Sequence, residues 1–310
     1  MNSIKNILVI VDPTASDQPA VQKAVILASK FHAGIELFVC DTKSSFAMRM
    51  ASQMTKPTAL TPSSLHSWLE ALARPLRSKG IEVTTSAING DPFVNTVLAW
   101  LKNSPADLVM KDTHHHGLTK RTFLGNTDWH LIRECPIPLL LTKPKHWREP
   151  LVVAAAVNPP LNGIQEDFLD KRILDCAVTI ALPLQATVLA VHTYFPDLVA
   201  AASICPEPNF FNVTAEMLEA EKTLHQTALV SLLAPYGIAQ QSVHLDMGVA
   251  STSLPEIAEQ QAIDVMVMGA ISRNHLKQAL IGSTAERLLE HLPCDVLVIK
   301  ETQFAECLPI

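Results

Sequence analysis

Short, nearly unbroken apolar runs recur along the chain. Most are closed by a glycine, proline or polar residue and followed by a stretch with apolar positions three and four apart. An unbroken apolar run fits a strand buried on both faces of a parallel sheet, and the 3.6-residue period fits a helix packed on that sheet. The first run, residues 5–11 (KNILVIV), ends at Asp12 and Pro13. Residues 16–31 then place Val21, Ala24, Val25 and Ala28 on one helical stripe, with Gly34 as the expected stop. Residues 35–40 predict a second strand, 41–61 a polar, proline-bearing loop, and 64–79 a helix bent at Pro75. A third strand at 81–88, a turn at Asn89-Gly90-Asp91-Pro92, a helix at 93–101 and a fourth strand at 107–111 follow. This alternation predicts an open parallel α/β sheet.

Residues 264–300 use the same order again. A buried strand at 264–268 runs into Gly269, and Gly282-Ser283-Thr284 opens a helix carrying Leu288, Leu289 and Leu292. Pro293 stops that helix before a strand at 295–299. The whole stretch lies on residues 107–143 without a gap, each residue 157 positions after its counterpart. Asp107/Asp264, Lys120/Lys277, Gly125/Gly282, Thr127/Thr284, Leu131/Leu288, Pro136/Pro293, Leu140/Leu297 and Lys143/Lys300 are identical. Upstream, 151–157 with Asn158 repeats the first strand and its Asp12, 186–192 repeats the second strand, and Gly248 repeats Gly90. The segment KPKHWREP at 143–150 is a polar, proline-flanked linker. The chain therefore reads as a duplicated α/β domain, 1–146 followed by 147–310.

Composition narrows the function classes. A formal net charge of −6 in 310 residues argues against nucleic-acid binding, which depends on basic surface. No apolar segment approaches the ~20 residues that span a bilayer, and the N-terminus lacks the pattern of a signal peptide, so the expectation is a cytoplasmic protein with no integral membrane association. Six scattered cysteines without a C-x-x-C pair read as small hydrophobes. No G-x-S-x-G elbow, papain-like cysteine or P-loop is present, so no catalytic residue is assigned.

The spacing Gly269-x2-Ser272-x9-Gly282-Ser283 resembles the G-x2-G-x9-G-[ST] pattern of the universal stress protein family, and LGNTDWHLI at 124–132 resembles a subgroup of its tandem, two-domain form. The resemblance covers nearly the whole chain. It implies two Rossmann-like, adenine nucleotide alpha hydrolase-like domains, each with a five-stranded parallel sheet, forming an internal pseudo-dimer that leaves room for a further homodimer. It also implies a small-molecule ligand, ATP or another phosphorylated molecule, at the carboxyl ends of the strands. In the second half the implied ligand-binding residues are Val157, Asn158, Val191, Met268, Gly269, Ser272, Gly282, Ser283 and Thr284. Their weaker first-half counterparts are Asp12, Gly125, Asn126 and Thr127.

Both halves depart from the family pattern. The first keeps Asp12 but has Asp112 and His115 where the second has Gly269 and Ser272. A carboxylate beside a triphosphate repels it. The second has Asn158 for the aspartate and Ser272 for a glycine, yet remains the better phosphate candidate. Ser283 with Glu286 also reads as a capping box, which holds a helix end without any ligand.

Two further features are open at this level. His114 and His116, with His130 on the next helix, offer imidazoles to zinc, against the plainer reading of a solvated polar loop. The insertion at 194–213 brings Phe195, Phe210 and Phe211, which either line a pocket for an amphipathic ligand or cover the sheet. The functional alternatives are a stress-response ligand-binding module, a weak ATPase and a scaffold with vestigial pockets.

Overall fold

The computed structural model describes residues 4–42, 62–113, 125–161, 168–196, 199, 213–269 and 283–300. Among them, residues up to Trp147 together with those from Asp295 form one compact unit, and those of Arg148–Gly269 and Gly282–Cys294 form the other.

In the first unit the strands are β1 (Asn6–Ile10), β2 (Gly34–Asp41), β3 (Val83–Asn89), β4 (Leu108–Asp112) and β5 (Leu139–Thr142). They lie in the order β3-β2-β1-β4-β5, all parallel. Ile7, Leu8, Val9 and Ile10 are buried in succession. Consecutive residues of a strand point to opposite faces, so both faces of β1 are covered. The helices are α1 (Pro19–Phe31), α2 (Pro62–Arg77), α3 (Phe93–Asn103) and α4 (Asn126–Glu134). Pro75 lies inside α2, in its last turn, where it removes the i→i−4 hydrogen bond its N–H would have made.

The stop of α1 differs from the sequence expectation. His32, at φ 54°, takes the left-handed cap, and Gly34 already belongs to β2. The N–H of Ala33 bonds back to Ala28, so the turn is closed before the glycine is reached.

The second unit repeats the plan with β6 (Val152–Ala156), β7 (Thr187–Tyr194), β8 (Val243–Met247) and β9 (Val265–Gly269), in the parallel order β9-β6-β7-β8. Its helices are α5 (Phe168–Leu184), α6 (Ala215–Leu233), α7 (Ala250–Gln260) and α8 (Ser283–His291). The final strand of the sequence repeat, β10 (Asp295–Ile299), runs antiparallel to β5, with Val296 opposite Leu141 and Val298 opposite Leu139. That strand is therefore part of the first compact unit.

The two turn glycines have one structural cause. A Cβ on Gly90 would sit 2.1 Å from Thr96 Oγ1, and one on Gly248 would sit 2.1 Å from Ser253 Oγ. In each repeat a hydroxyl from the early part of the next helix fills the place of a side chain, which explains why the sequence repeats glycine there. The four described cysteines, Cys40, Cys135, Cys176 and Cys294, are buried and stand outside any disulfide. No helix among the described residues is long and apolar enough to cross a membrane.

Candidate functional site

In an open α/β sheet the crevice lies at the carboxyl ends of the strands, where the strand order reverses. In the first unit that point is between β1 and β4, and a cavity of about 180 Å³ opens there, lined in part by Asp12, Lys111, Asp112 and Thr127. Asp12 closes a tight turn: its Oδ1 accepts from the backbone N–H of Thr14 at 2.8 Å and from Thr14 Oγ1 at 2.6 Å. Gln18 braces the same turn, donating Nε2 to the Asp12 carbonyl at 2.6 Å.

Asp112 ends β4. Its Oδ1 accepts from the N–H of Ala20 at 2.7 Å and from Thr142 Oγ1, while its buried Oδ2 has no hydrogen-bond partner. Burial raises the pKa of this carboxyl, and the hydrogen bonds from Thr142 and Ala20 oppose the shift only in part. The Lys111 ammonium lies 2.7 Å from Oδ1 of the fully buried Asp128 and also donates to the Asp112 backbone carbonyl at 3.0 Å, so its charge is shared between the two aspartates. The other Asp128 oxygen accepts from the N–H of Gly125 at 2.8 Å, so α4 carries its own anion at its N-terminus. An incoming phosphate therefore meets Asp112 on one side and a helix end already served by Asp128 on the other.

In the second unit the reversal lies between β6 and β9, in register with Ala155 beside Val267. This brings Val157 and Asn158 to the same end as Met268 and Gly269. The N–H of Val157 bonds to the carbonyl of Val191 at 3.0 Å, and that of Asn158 to Asp170 Oδ1 at 2.9 Å. Gly269 has a packing role of its own, since a Cβ there would come within 2.7 Å of Leu169 Cδ2. Ser272 and Gly282 lie outside the described residues, as do the side chains of Ser283, Thr284 and Asn126.

The first helical residue of α8 is Ser283, as Asn126 is the first of α4, whose N-cap is Gly125. The side chains of Ser283 and Glu286, which the sequence pairs in a capping box, lie outside the described residues.

His114 and His116 fall outside the described residues, while His130 is on the exposed surface of α4 with Nδ1 3.1 Å from Glu134 Oε1. Among the described residues no group of three or more histidine, cysteine or carboxylate side chains is placed to hold a metal ion. Nothing in these contacts supports zinc. Phe195 is 45% exposed, and Phe210 and Phe211 lie outside the described residues.

Sequence reasoning missed a buried polar cluster in the second unit. His192 on β7 donates from Nδ1 to the carbonyl of Val157 at 3.0 Å, and its Nε2 lies 2.8 Å from Nδ1 of His225 on α6. The Tyr194 ring stacks on His225 with centroids 4.2 Å apart. Burial lowers the His192 pKa to about 4, the nearby His225 adds to the shift, and the bond to Val157 opposes it. The residues are 33 apart, with the insertion between them, so no local spacing announces the pair.

Comparison with known proteins agrees with this architecture. Residues 3–143 and 169–300 match the sequence model of the Universal stress protein family. Universal stress protein E of Escherichia coli strain K12 is 28% identical over 316 aligned positions, covering 98% of this chain and 96% of that protein. A solved Pseudomonas aeruginosa UCBPP-PA14 structure described as a universal stress protein superposes with a TM-score of 0.75 at 26% identity, covering 98% of this chain and 96% of that one. A universal stress protein from Archaeoglobus fulgidus DSM 4304 shares the fold, with a TM-score of 0.69 at 15% identity over 97% of this chain and 99% of its own.

Proposed function

Because the chain belongs to the universal stress protein family, we propose that it is a stress-response binding module whose second half takes ATP or another phosphorylated small molecule, without turning it over. The observation that carries the reading is the contrast at the end of the fourth strand of each half. Asp112 puts a half-buried carboxyl group into the first crevice, whereas the corresponding Gly269 brings no charge to the second. Phosphates are favoured where backbone N–H groups at a helix N-terminus point at them, and the first helical residue of α8 is Ser283. Asn158 stands at the end of the neighbouring strand, on the side where the ligand base and sugar would lie.

Titration of the full chain with ATP by calorimetry tests this. The expected result is one site per chain, weakened about tenfold or more in Asn158→Ala and Ser283→Ala, as for loss of a hydrogen bond to a charged group, and unchanged in Asp112→Asn. No saturable binding, or binding lost in Asp112→Asn and kept in Ser283→Ala, overturns the assignment. Phosphate release that disappears in Ser283→Ala would replace simple binding with hydrolysis.

A further inference from the structure

In the first unit α2 packs directly on the edge strand β3. The corresponding helix of the second unit, α6, stands off the edge strand β8, and a cavity of about 670 Å³ occupies the gap. The stand-off has a visible cause. His225, on the sheet-facing side of α6, meets His192 of β7 through a 2.8 Å hydrogen bond and is stacked on by Tyr194, so the helix rests on a layer of rings over β7. Its flank over β8 faces that strand across the cavity.

The walls of that space are aliphatic. Buried Leu229 and Leu233 face it from α6, and half-buried Val243 and Leu245 face it from β8. Lys222 and Gln226, on earlier turns of α6, form a polar end, Gln240 adds an amide ahead of β8, and among the described residues of the lining Lys222 alone is charged. The Lys222 ammonium makes a loose surface pair with Glu219 at 3.4 Å, which an incoming anion can share or displace. The volume falls within the roughly 300–1,000 Å³ of small-molecule pockets, and wetting aliphatic walls forfeits the hydrophobic stabilisation that an alkyl chain would restore. Because the lining includes the start of β8 and the turn before it, the cavity lies towards the amino ends of the strands. It is therefore separate from the crevice between β6 and β9.

We infer that this cavity is a second ligand site, for a small amphipathic monocarboxylate whose alkyl chain lies between α6 and β8 and whose carboxylate meets Lys222 and Gln226. Aliphatic walls select a flexible chain over a stacked ring, and an anionic head group fits the one cation of the described lining, where it would displace Glu219 from Lys222.

Calorimetric titration of the full chain with decanoate, and separately with the uncharged decanol, tests the assignment. Decanoate should saturate at one per chain. Lys222→Gln should weaken decanoate about tenfold, the scale of a lost charge-assisted hydrogen bond, and leave decanol unchanged. Leu245→Trp should fill the cavity and abolish binding of both. Val230→Trp fills the same space from a lining residue that is 60% exposed and serves if Leu245→Trp does not fold. Absence of saturable decanoate binding, decanoate affinity indifferent to Lys222→Gln, or binding that survives the cavity-filling variants overturns the proposal. ATP titrations of the same variants should match the parent chain, so failure here is distinguishable from failure of the nucleotide reading.

Discussion

The divergence of the two halves comes down to single side chains whose charge state is set by burial. His192 shows the consequence most directly. The carbonyl of Val157 only accepts, so Nδ1 of His192 carries the proton and Nε2 accepts from His225. A second proton on His192 would set N–H against N–H, and burial opposes the charge as well. Its pKa in the folded chain, about 4, lies below the ordinary 6.5, so the unfolded chain takes up the proton first as pH falls. This group therefore costs no stability above pH 6.5 and removes it progressively down to pH 4, by up to about 1.4 kcal/mol per pH unit. His192→Asn keeps a donor for Val157 and removes the titration. Urea unfolding at pH 7 and pH 5 should show a smaller loss in the variant than in the parent, and an equal loss would refute the assignment.

At the level of elements, the repeat is a repeat of backbone solutions. Gly90 and Gly248 are both glycines because a hydroxyl from the following helix, on Thr96 or Ser253, occupies the Cβ position. Gly90→Ala should destabilise the chain by about 1–3 kcal/mol, the usual cost of overpacking. Adding Thr96→Ala should recover much of that loss, because the clash is with that side chain and not with backbone. Additive losses in a denaturation cycle would show that the turn itself, and not the contact, demands glycine. The sequence announced both turns, but it could not show that Thr96 and Ser253 were their cause. The same limit explains the α1 stop. A glycine two residues past the helix looked like the cap, while the chain closed the helix with His32 in the left-handed region.

At the scale of the whole molecule, one buried ion pair ties the end of the chain to its beginning. Asp295, the first residue of β10, receives Lys23 Nζ at 2.7 Å, the Lys143 N–H at 2.8 Å and Trp147 Nε1 at 2.7 Å. Burial nonetheless raises its pKa, with Lys23 the largest opposing influence. Breaking such a pair leaves an uncompensated charge, so Lys23→Met should cost about 3–5 kcal/mol. Lys23→Met combined with Asp295→Leu should recover most of it, since two well-packed apolar side chains can replace a buried pair. Denaturant unfolding followed by circular dichroism measures both, and a double variant no more stable than the single one would show that Asp295 is needed for its other two bonds.

The sequence alone determined the strand-helix alternation, the duplication and the family. Apolar periodicity, turn glycines and helix stops are local, and local sterics and burial patterns can be read from neighbouring letters. It also located the contrast between Asp112 and Gly269 that separates the two crevices. Only the tertiary structure decided that β10 would complete the first unit, that His192 and His225 would meet, and that α6 would be held off β8 to leave a cavity. The first two depend on residues far apart in the chain, 155 positions for Val296 and Leu141 and 33 for the histidines, and the third follows from the second. Buried polar groups seek whichever partner the fold brings within reach, and that choice is made by packing in space, not by spacing along the sequence.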